Sequence, residues 1–314
     1  MSRIVTLTLN PAIDQTVVLG ALAPGEVHRA RAVARHAGGK GVNVACCLAD
    51  WGLAAAVTGL LGADNDAAFR QVFAAKGIED RFIRVPGETR TNLKLLDTGS
   101  GDTTDINLPG LPAGDAFAAV RTELLARAGR GDLAVLAGSL PEGIAADAYA
   151  DLTASLNAAG ARVVLDASGP ALKAALAAGS EGLPHAVKPN RHELEEWAGH
   201  RLPTLQAVRA AAEELRGRGI PVVVVSLGAE GALFLTEAGA VHASPPPIEV
   251  ASTVGAGDAL VAGLVAALAA RLDLPSTARL ALAFAAAKLT REGANLPPRP
   301  EVERIAGTVR VVPA

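Results

Sequence analysis

The chain has 314 residues, 50% of them hydrophobic and 19% charged, which excludes a disordered polymer and allows one large domain or two small ones. A net charge of -3 provides no field for nucleic acid or anionic lipid. The longest wholly apolar or small run, Ala259 to Ala270, is too short to span a bilayer, and MSRIVTLTLN lacks leader architecture, so a soluble cytoplasmic protein is expected.

RIVTLTL opens as a strand. TLNPAIDQTV then places Asp14 where a carboxylate can take two hydrogen bonds from vicinal hydroxyls, or simply close a turn after Pro11. DQTVVLGALAPGEVHRARAVARH has no helical period and is expected to form a hairpin outside the main body. In HAGGKGVNVA, Gly38, Gly39 and Gly41 permit close backbone approach. Lys40 adds a point charge there, and Asn43 offers a donor and an acceptor to a sugar hydroxyl. The same residues also read as a flexible connection with a surface lysine. GVNVACCLADWG is a helix ending at Gly52. Its adjacent Cys46 and Cys47 have the wrong geometry for an ordinary disulfide and read as buried thiols of a reducing compartment. The six histidines show no metal-ligand spacing. AAVTGLLG is a buried strand, and NDAAFRQVFAAKG a helix ending at Gly77.

TRTNLKLLDTGSGDTTDINLP reads as a second hairpin, and the two hairpins are expected to pair into a small sheet. Arg90, Asn92 and Lys94 sit two apart and share one strand face, with Leu93 and Leu95 opposite. A basic, polar face suits a flap over an anionic ligand; a solvated face is the alternative. DLAVLAG, ARVVLDA, HAVKPN and PVVVVSLG repeat the strand signal with helices between them. Strands this apolar, separated by helices, predict an α/β fold with a parallel sheet covered on both faces.

KPNRHELEEWAG follows a strand, and Asn190 and Glu193 have the spacing of a capping box. The same pair can hold Mg2+ or its waters, since magnesium uses few carboxylates. In VVVVSLGAEGALFL, Ser226, Gly228 and Gly231 either line a nucleotide edge or form a plain hairpin. SPPPIEV is a rigid connector. It leads into STVGAGDALVAGL, where Gly255 and Gly257 suit a tight strand-to-helix turn. The free amides of the helix start, with the helix dipole, favour an anion such as a phosphoryl group. Asp258, in the first turn, can accept a proton from an attacking hydroxyl; its alternative role is to cap the helix. The Walker pattern is absent, and no G-x-G-x-x-G follows the first strand, which argues against a dinucleotide site and means that any phosphate bound here is bound without a P-loop.

GGKGVNVA, KPNRHELE, SLGAEGA and STVGAGD, in this order, resemble the ribokinase-like sugar kinases of the PfkB family across nearly the whole chain. TLNPAID, HAGGKGVNVA, KPNRHELEEWAG and SLGAEGALFL are most similar to the bacterial subgroup acting on fructose 1-phosphate. The resemblance implies one domain over 1–314, three-layered αβα, with a β lid from approximately 12–36 and 86–110 that serves as a dimer clasp. It implies ATP as co-substrate, Mg2+ and a phosphorylated ketohexose, and leaves potassium activation open. Asp258 matches the family's catalytic base, and Gly255, Ala256 and Gly257 its anion hole. Asp14, Gly39, Lys40, Asn43, Arg90, Asn92 and Ser139 match the sugar-phosphate side, and Arg29 a lid arginine reaching the partner subunit. Lys188, Asn190, Ser226, Gly228 and Gly231 match the nucleotide side, with Asn190 and Glu193 toward Mg2+ through water. Adenine contacts are expected near SLGAEG and Ala283 to Lys288. Lys40 stands where the 6-phosphofructokinase relative has glycine, and the tripeptide LNP also differs there, which favours fructose 1-phosphate or tagatose 6-phosphate. A non-catalytic sugar or nucleotide sensor is the alternative of another class, disfavoured by the intact Asp258 and Asn190-x-x-Glu193.

Overall fold

Strand β1 (Ile4–Thr8) is buried at all five positions, as a strand covered on both faces must be. The computed structural model in which it lies describes residues 2–248, 255–291 and 293–314. After β1 come β2 (Ala12–Leu19), β3 (Ala32–Gly38), α1 (Lys40–Trp51), β4 (Ala56–Gly62), α2 (Ala67–Lys76), β5 (Glu79–Val85), β6 (Thr91–Asp97) and β7 (Thr103–Ile106). The middle third holds α3 (Ala116–Arg127), β8 (Leu133–Ala137), α4 (Ala148–Ala158), β9 (Arg162–Asp166), α5 (Gly169–Ala177), β10 (Ala186–Val187) and α6 (Arg191–Ala198). The last third holds α7 (Leu205–Gly217), β11 (Val222–Ser226), β12 (Ala232–Thr236), β13 (Gly239–Ser244), α8 (Ala256–Ala270), α9 (Leu274–Leu289), α10 (Arg299–Thr308) and β14 (Arg310–Pro313).

Ten strands form one sheet in the order β14-β13-β12-β11-β10-β9-β8-β1-β4-β5. From β11 to β5 every pairing is parallel; β12, β13 and β14 add an antiparallel edge. Strand alternation sends side chains into two cores. Leu133, Val135 and Ala137 of β8 join the cluster that holds α1, α8, α9 and α10, whereas Ala134 and Leu136 join the one that holds α3 to α7. The result is three layers, αβα, as expected.

The helices stop where the sequence says. Gly52 and Gly77 both take the left-handed conformation that closes α1 and α2. HAVKPN gives only the two residues of β10, because Pro189 has no N–H to continue a ladder; a single bridge between Asn190 and Ser226 extends the pairing. Of SPPPIEV, residues 245–248 lie in no strand or helix, and Glu249 and Val250 fall outside the described residues.

The two hairpins make a second sheet, in the order β3-β2-β6-β7. They join through the parallel pairing of β2 with β6, which sets Asp14 opposite Asn92 and Thr16 opposite Lys94. Directly paired residues share a face. One face therefore carries Asp14, His36, Asn92 and Lys94, and the other Val17, Val33, Leu93, Leu95 and Ile106. Among the described residues no helix is long and apolar enough to cross a membrane.

Candidate active site

The carboxyl ends of the parallel strands finish in polar residues, where open α/β sheets place their ligands. Asn10 follows β1, Ser139 follows β8, Asp166 ends β9, Lys188 follows β10 and Ser226 ends β11. The head of α8 joins them. Gly255 is its N-cap at φ 81°, a left-handed conformation that glycine adopts without a Cβ penalty, and among the described residues no side chain caps the helix. The first helical bond runs from Ala259 N–H to the Gly255 carbonyl at 2.9 Å, so the helix does not use the amides of Ala256, Gly257 and Asp258. Ser252, Thr253 and Val254 of the motif fall outside the described residues.

Asp258 is buried, and its Oδ2 accepts a 2.7 Å hydrogen bond from Asn43 Nδ2 on α1. It does not cap α8. Burial, then the charge of Asp166, raises its pKa from 3.8 to about 6, against Lys40, the Asn43 bond and Lys188. A carboxylate tuned in this way is a better proton acceptor near neutral pH than an ordinary aspartate.

Asp166 is the residue that the motifs did not single out. It is 1% exposed, and its Oδ1 lies 3.2 Å from both Lys40 Nζ and Lys188 Nζ. Burial pushes its pKa up, but Lys188 and Lys40 outweigh that and hold it below the usual value. Lys40 is affected in turn: burial opposes its charge, while Asp166, Asp258 and Glu193 overcome the penalty and raise its pKa. Asp166 Oδ2 is buried without a hydrogen-bond partner among the described residues. A lone acid at the carboxyl end of the apolar strand RVVLD was the available signal.

The flap-side residues form a second group. Lys94 Nζ lies 3.4 Å from Asp105 and 3.8 Å from Asp14. Asn92 hydrogen-bonds to Asp14 and accepts a 3.3 Å bond from Leu108 N–H. Burial raises the pKa of Asp14 against both Lys94 and Asn92. Arg90 donates to the carbonyls of Asn10 (3.1 Å), Pro11 (3.3 Å) and Leu108 (3.0 Å), which leaves a donor on each terminal nitrogen. Asn10 Nδ2 reaches Ser139 Oγ at 3.1 Å. Gly39 is the N-cap of α1, so the Gly39–Lys40 peptide joins this group to the acid cluster. Gly41 seats α1 on β1: a Cβ there would fall 2.5 Å from Thr8 Oγ1 and 2.7 Å from the Leu7 carbonyl. Arg29 stands apart, exposed in the connection from β2 to β3, with no hydrogen bond or ion pair among the described residues.

Asn190 and Glu193 complete a capping box at the head of α6. Asn190 Oδ1 accepts from Glu193 N–H and Glu193 Oε2 from Asn190 N–H, both at 2.8 Å. Glu193 thus spends one oxygen on the cap and keeps Oε1 for water or a hydrated cation, which suits magnesium's preference for few carboxylates. Among the described residues, no group of three or more histidines, cysteines or acids could hold a metal by itself. Gly228 opens a short 3-10 turn between β11 and β12, and Gly231 passes so close to the Ala243 carbonyl that a Cβ would overlap it. Arg191 ties α6 to that turn through Glu230 at 3.0 Å. The stretch Ala283 to Lys288 is buried in α9, and Lys288 reaches the head of α8. A separate cavity of about 550 Å³ lies at the amino-terminal edge of the sheet, lined by His185, Pro221, Phe234, Leu268 and Thr277; it contains none of the residues above.

Residues 7–301 match the model of the pfkB family carbohydrate kinases. The chain is 53% identical to a 1-phosphofructokinase of Xanthomonas campestris pv. campestris over 287 residues, covering 91% of this chain and 90% of that one. It is 50% identical to the 1-phosphofructokinase of Rhodobacter capsulatus over 313 residues, covering 98% and 97%. Phosphofructokinase-2 from Escherichia coli in complex with fructose-6-phosphate superposes with a TM-score of 0.89 at 30% identity, over 98% of this chain and 99% of that one. Structures of the same protein in complex with potassium (TM-score 0.90, 31% identity) and in a tetrameric inhibited form (TM-score 0.89, 31% identity) cover the same shares.

Proposed function

We propose, for a chain that belongs to the pfkB family of carbohydrate kinases, that it transfers the γ-phosphoryl group of ATP to the free primary hydroxyl of fructose 1-phosphate, giving fructose 1,6-bisphosphate. The observation that carries the chemistry is a buried carboxylate of raised pKa, Asp258, at the head of a helix whose first amides no side chain among the described residues caps. Asp258 accepts the proton of the sugar hydroxyl as that oxygen attacks, and Asn43 fixes the orientation of its carboxylate. The amides of Gly255, Ala256, Gly257 and Asp258 receive the charge of the transferring phosphoryl group. Lys188 flanks that cradle, since a Cβ on Gly257 would stand 3.8 Å from its Nζ.

Lys40, beside Asp166 and within the field of Asp258, serves the reacting phosphoryl group as well as the sugar side. Arg90, with a donor left on each terminal nitrogen, grips the phosphate that the sugar already carries. Asp14 and Asn92 take the sugar hydroxyls, with Gly39 and Ser139 beside them. Lys188, Asn190, Ser226, Gly228 and Gly231 line the nucleotide side. Glu193 holds Mg2+ through water, and the ion, when bound, neutralises phosphate charge. The Escherichia coli neighbour has a structure in complex with potassium, and a comparison of salts decides whether this chain needs a monovalent cation from solution.

The small sheet acts as the lid over the sugar. Its outer apolar face, with Val33 54% and Ile106 42% exposed, suits a homodimer clasp in which Arg29 reaches the partner's site. The fructose-6-phosphate complex of the Escherichia coli neighbour favours fructose 6-phosphate as the second reading. A coupled ADP-release assay decides between them with fructose 1-phosphate, fructose 6-phosphate and tagatose 6-phosphate. The highest kcat/KM is expected on fructose 1-phosphate; a preference for either 6-phosphate rejects that substrate, and silence on all three rejects the kinase.

A further inference from the structure

Lys288 is a lysine without a surface. It sits in the last turn of α9 and is 1% exposed. A buried ammonium loses hydration worth several kcal/mol, roughly, and survives as a cation only where fixed oxygens replace the water. Its Nζ donates to the Arg291 carbonyl at 2.9 Å. Backbone carbonyls replacing a hydration shell are also what a dehydrated potassium ion accepts. The side chain therefore sets its nitrogen on a carbonyl oxygen of the kind that a monovalent cation accepts.

Its position gives that cation a use. Lys288 Cε lies 3.5 Å from where a Cβ on Gly255 would stand, so the stem runs against the turn that opens α8. The same notional atom is 3.9 Å from Asp258 Oδ2 and 4.0 Å from Asn43 Nδ2, the two partners of the buried carboxylate bond. Helix α9 reaches this spot because it lies close on α8: a Cβ on Gly263 would fall 2.6 Å from Ala281 Cα. The stem braces the Gly255 turn on the side of the helix head where Asp258 and Asn43 meet.

We propose that Lys288 is a built-in monovalent cation, a positioning residue that holds the head of α8 so that MgATP binding and phosphoryl transfer run without potassium from solution. This rests on the kinase reading above and deepens it. A bound ion can dissociate; a lysine cannot.

The test compares the full-length enzyme in potassium chloride and in tetramethylammonium chloride at matched ionic strength. Two quantities are read: turnover with fructose 1-phosphate, and affinity for a non-hydrolysable MgATP analogue by calorimetry. The wild type is expected to give equal turnover and affinity in both salts. Lys288→Met, which keeps the stem and removes the charge, is expected to lose about 10²-fold in kcat in tetramethylammonium, with potassium or ammonium restoring about tenfold or more. A wild type that needs potassium for analogue binding or turnover overturns the proposal. So does a folded Lys288→Met that is as active as wild type in tetramethylammonium, or one that no cation rescues. Should that variant not fold, the salt comparison on wild type still decides. An enzyme that binds the analogue equally in both salts yet turns over no ketohexose phosphate rejects the kinase reading and leaves the cation assignment standing.

Discussion

Replacing Asp258 with asparagine should cut turnover steeply and stabilise the fold in the same stroke, and the size of the gain follows from the site. Asp258 titrates at about 6 in the folded protein against 3.8 for an ordinary aspartate. Its ionised form is therefore disfavoured by folding. At about 1.4 kcal/mol for each pH unit between those values, the buried charge costs the fold roughly 3 kcal/mol. The sign fixes the window. Below 3.8 both folded and unfolded chains hold the proton, and the charge costs nothing. Between 3.8 and about 6 only the folded chain holds it, so wild-type stability from this group falls as pH rises. Above about 6 both chains are ionised and the full cost is present. Asparagine keeps an oxygen for the Asn43 amide and carries no charge. Urea denaturation of Asp258→Asn and wild type at pH 8 and at pH 4 isolates the effect, because any constant difference in packing cancels between the two conditions. The variant should gain about 2.5 kcal/mol more at pH 8 than at pH 4, where part of the cost is already present, while losing roughly 10³-fold in kcat. A gain that is the same at both pH values, or that grows on acidification, refutes the placement of a strained charge at this position.

The remaining predictions concern the neighbours of that charge. For wild type, kcat/KM should fall about tenfold per pH unit below about 6, as the free enzyme's base takes up its proton; a profile flat to pH 5 would remove Asp258 from that role. Asp166→Asn removes the anion between Lys40 and Lys188 and should destabilise by about 3 kcal/mol or more; it should also move the acid limb of the pH profile downward, since the Asp166 charge raises the pKa of Asp258. Arg90→Ala should raise KM for the sugar phosphate more than KM for ATP, and steady-state kinetics with each substrate varied will show which. Gly263→Ala should cost about 1–3 kcal/mol by thermal or urea unfolding, because its methyl group meets the Ala281 backbone.

Much of the architecture was legible because local rules and the global fold agree. Alternating apolar strands and glycine-stopped helices announced the three layers, and Asn190-x-x-Glu193 announced a capping box that forms as spaced. What escaped was decided at a distance. EDRFIRV reads as polar, yet it is the parallel edge strand β5, its charges neutralised by partners such as Arg127 for Glu79 and Asp66 for Arg84. Strands β13 and β14 pair across three intervening helices, a contact that no local window contains. Asp166 and Lys288 escaped for a related reason. Each is a single charge in an apolar run, and only the fold shows that one lies between two lysines and the other behind the Gly255 turn. For Asp258, the sequence alone left proton acceptor and helix cap open; Gly255 is the N-cap and the Asp258 carboxylate bonds Asn43, which removes the cap.

The most direct measurement is a crystal structure with a non-hydrolysable ATP analogue, Mg2+ and fructose 1-phosphate bound together. The γ-phosphate should lie within hydrogen-bond distance of the amides at residues 255–258, and the sugar's free primary hydroxyl about 2.6–3.2 Å from the Asp258 carboxylate. A triphosphate seated away from that turn, or a sugar whose phosphate rather than its hydroxyl faces Asp258, would contradict the account.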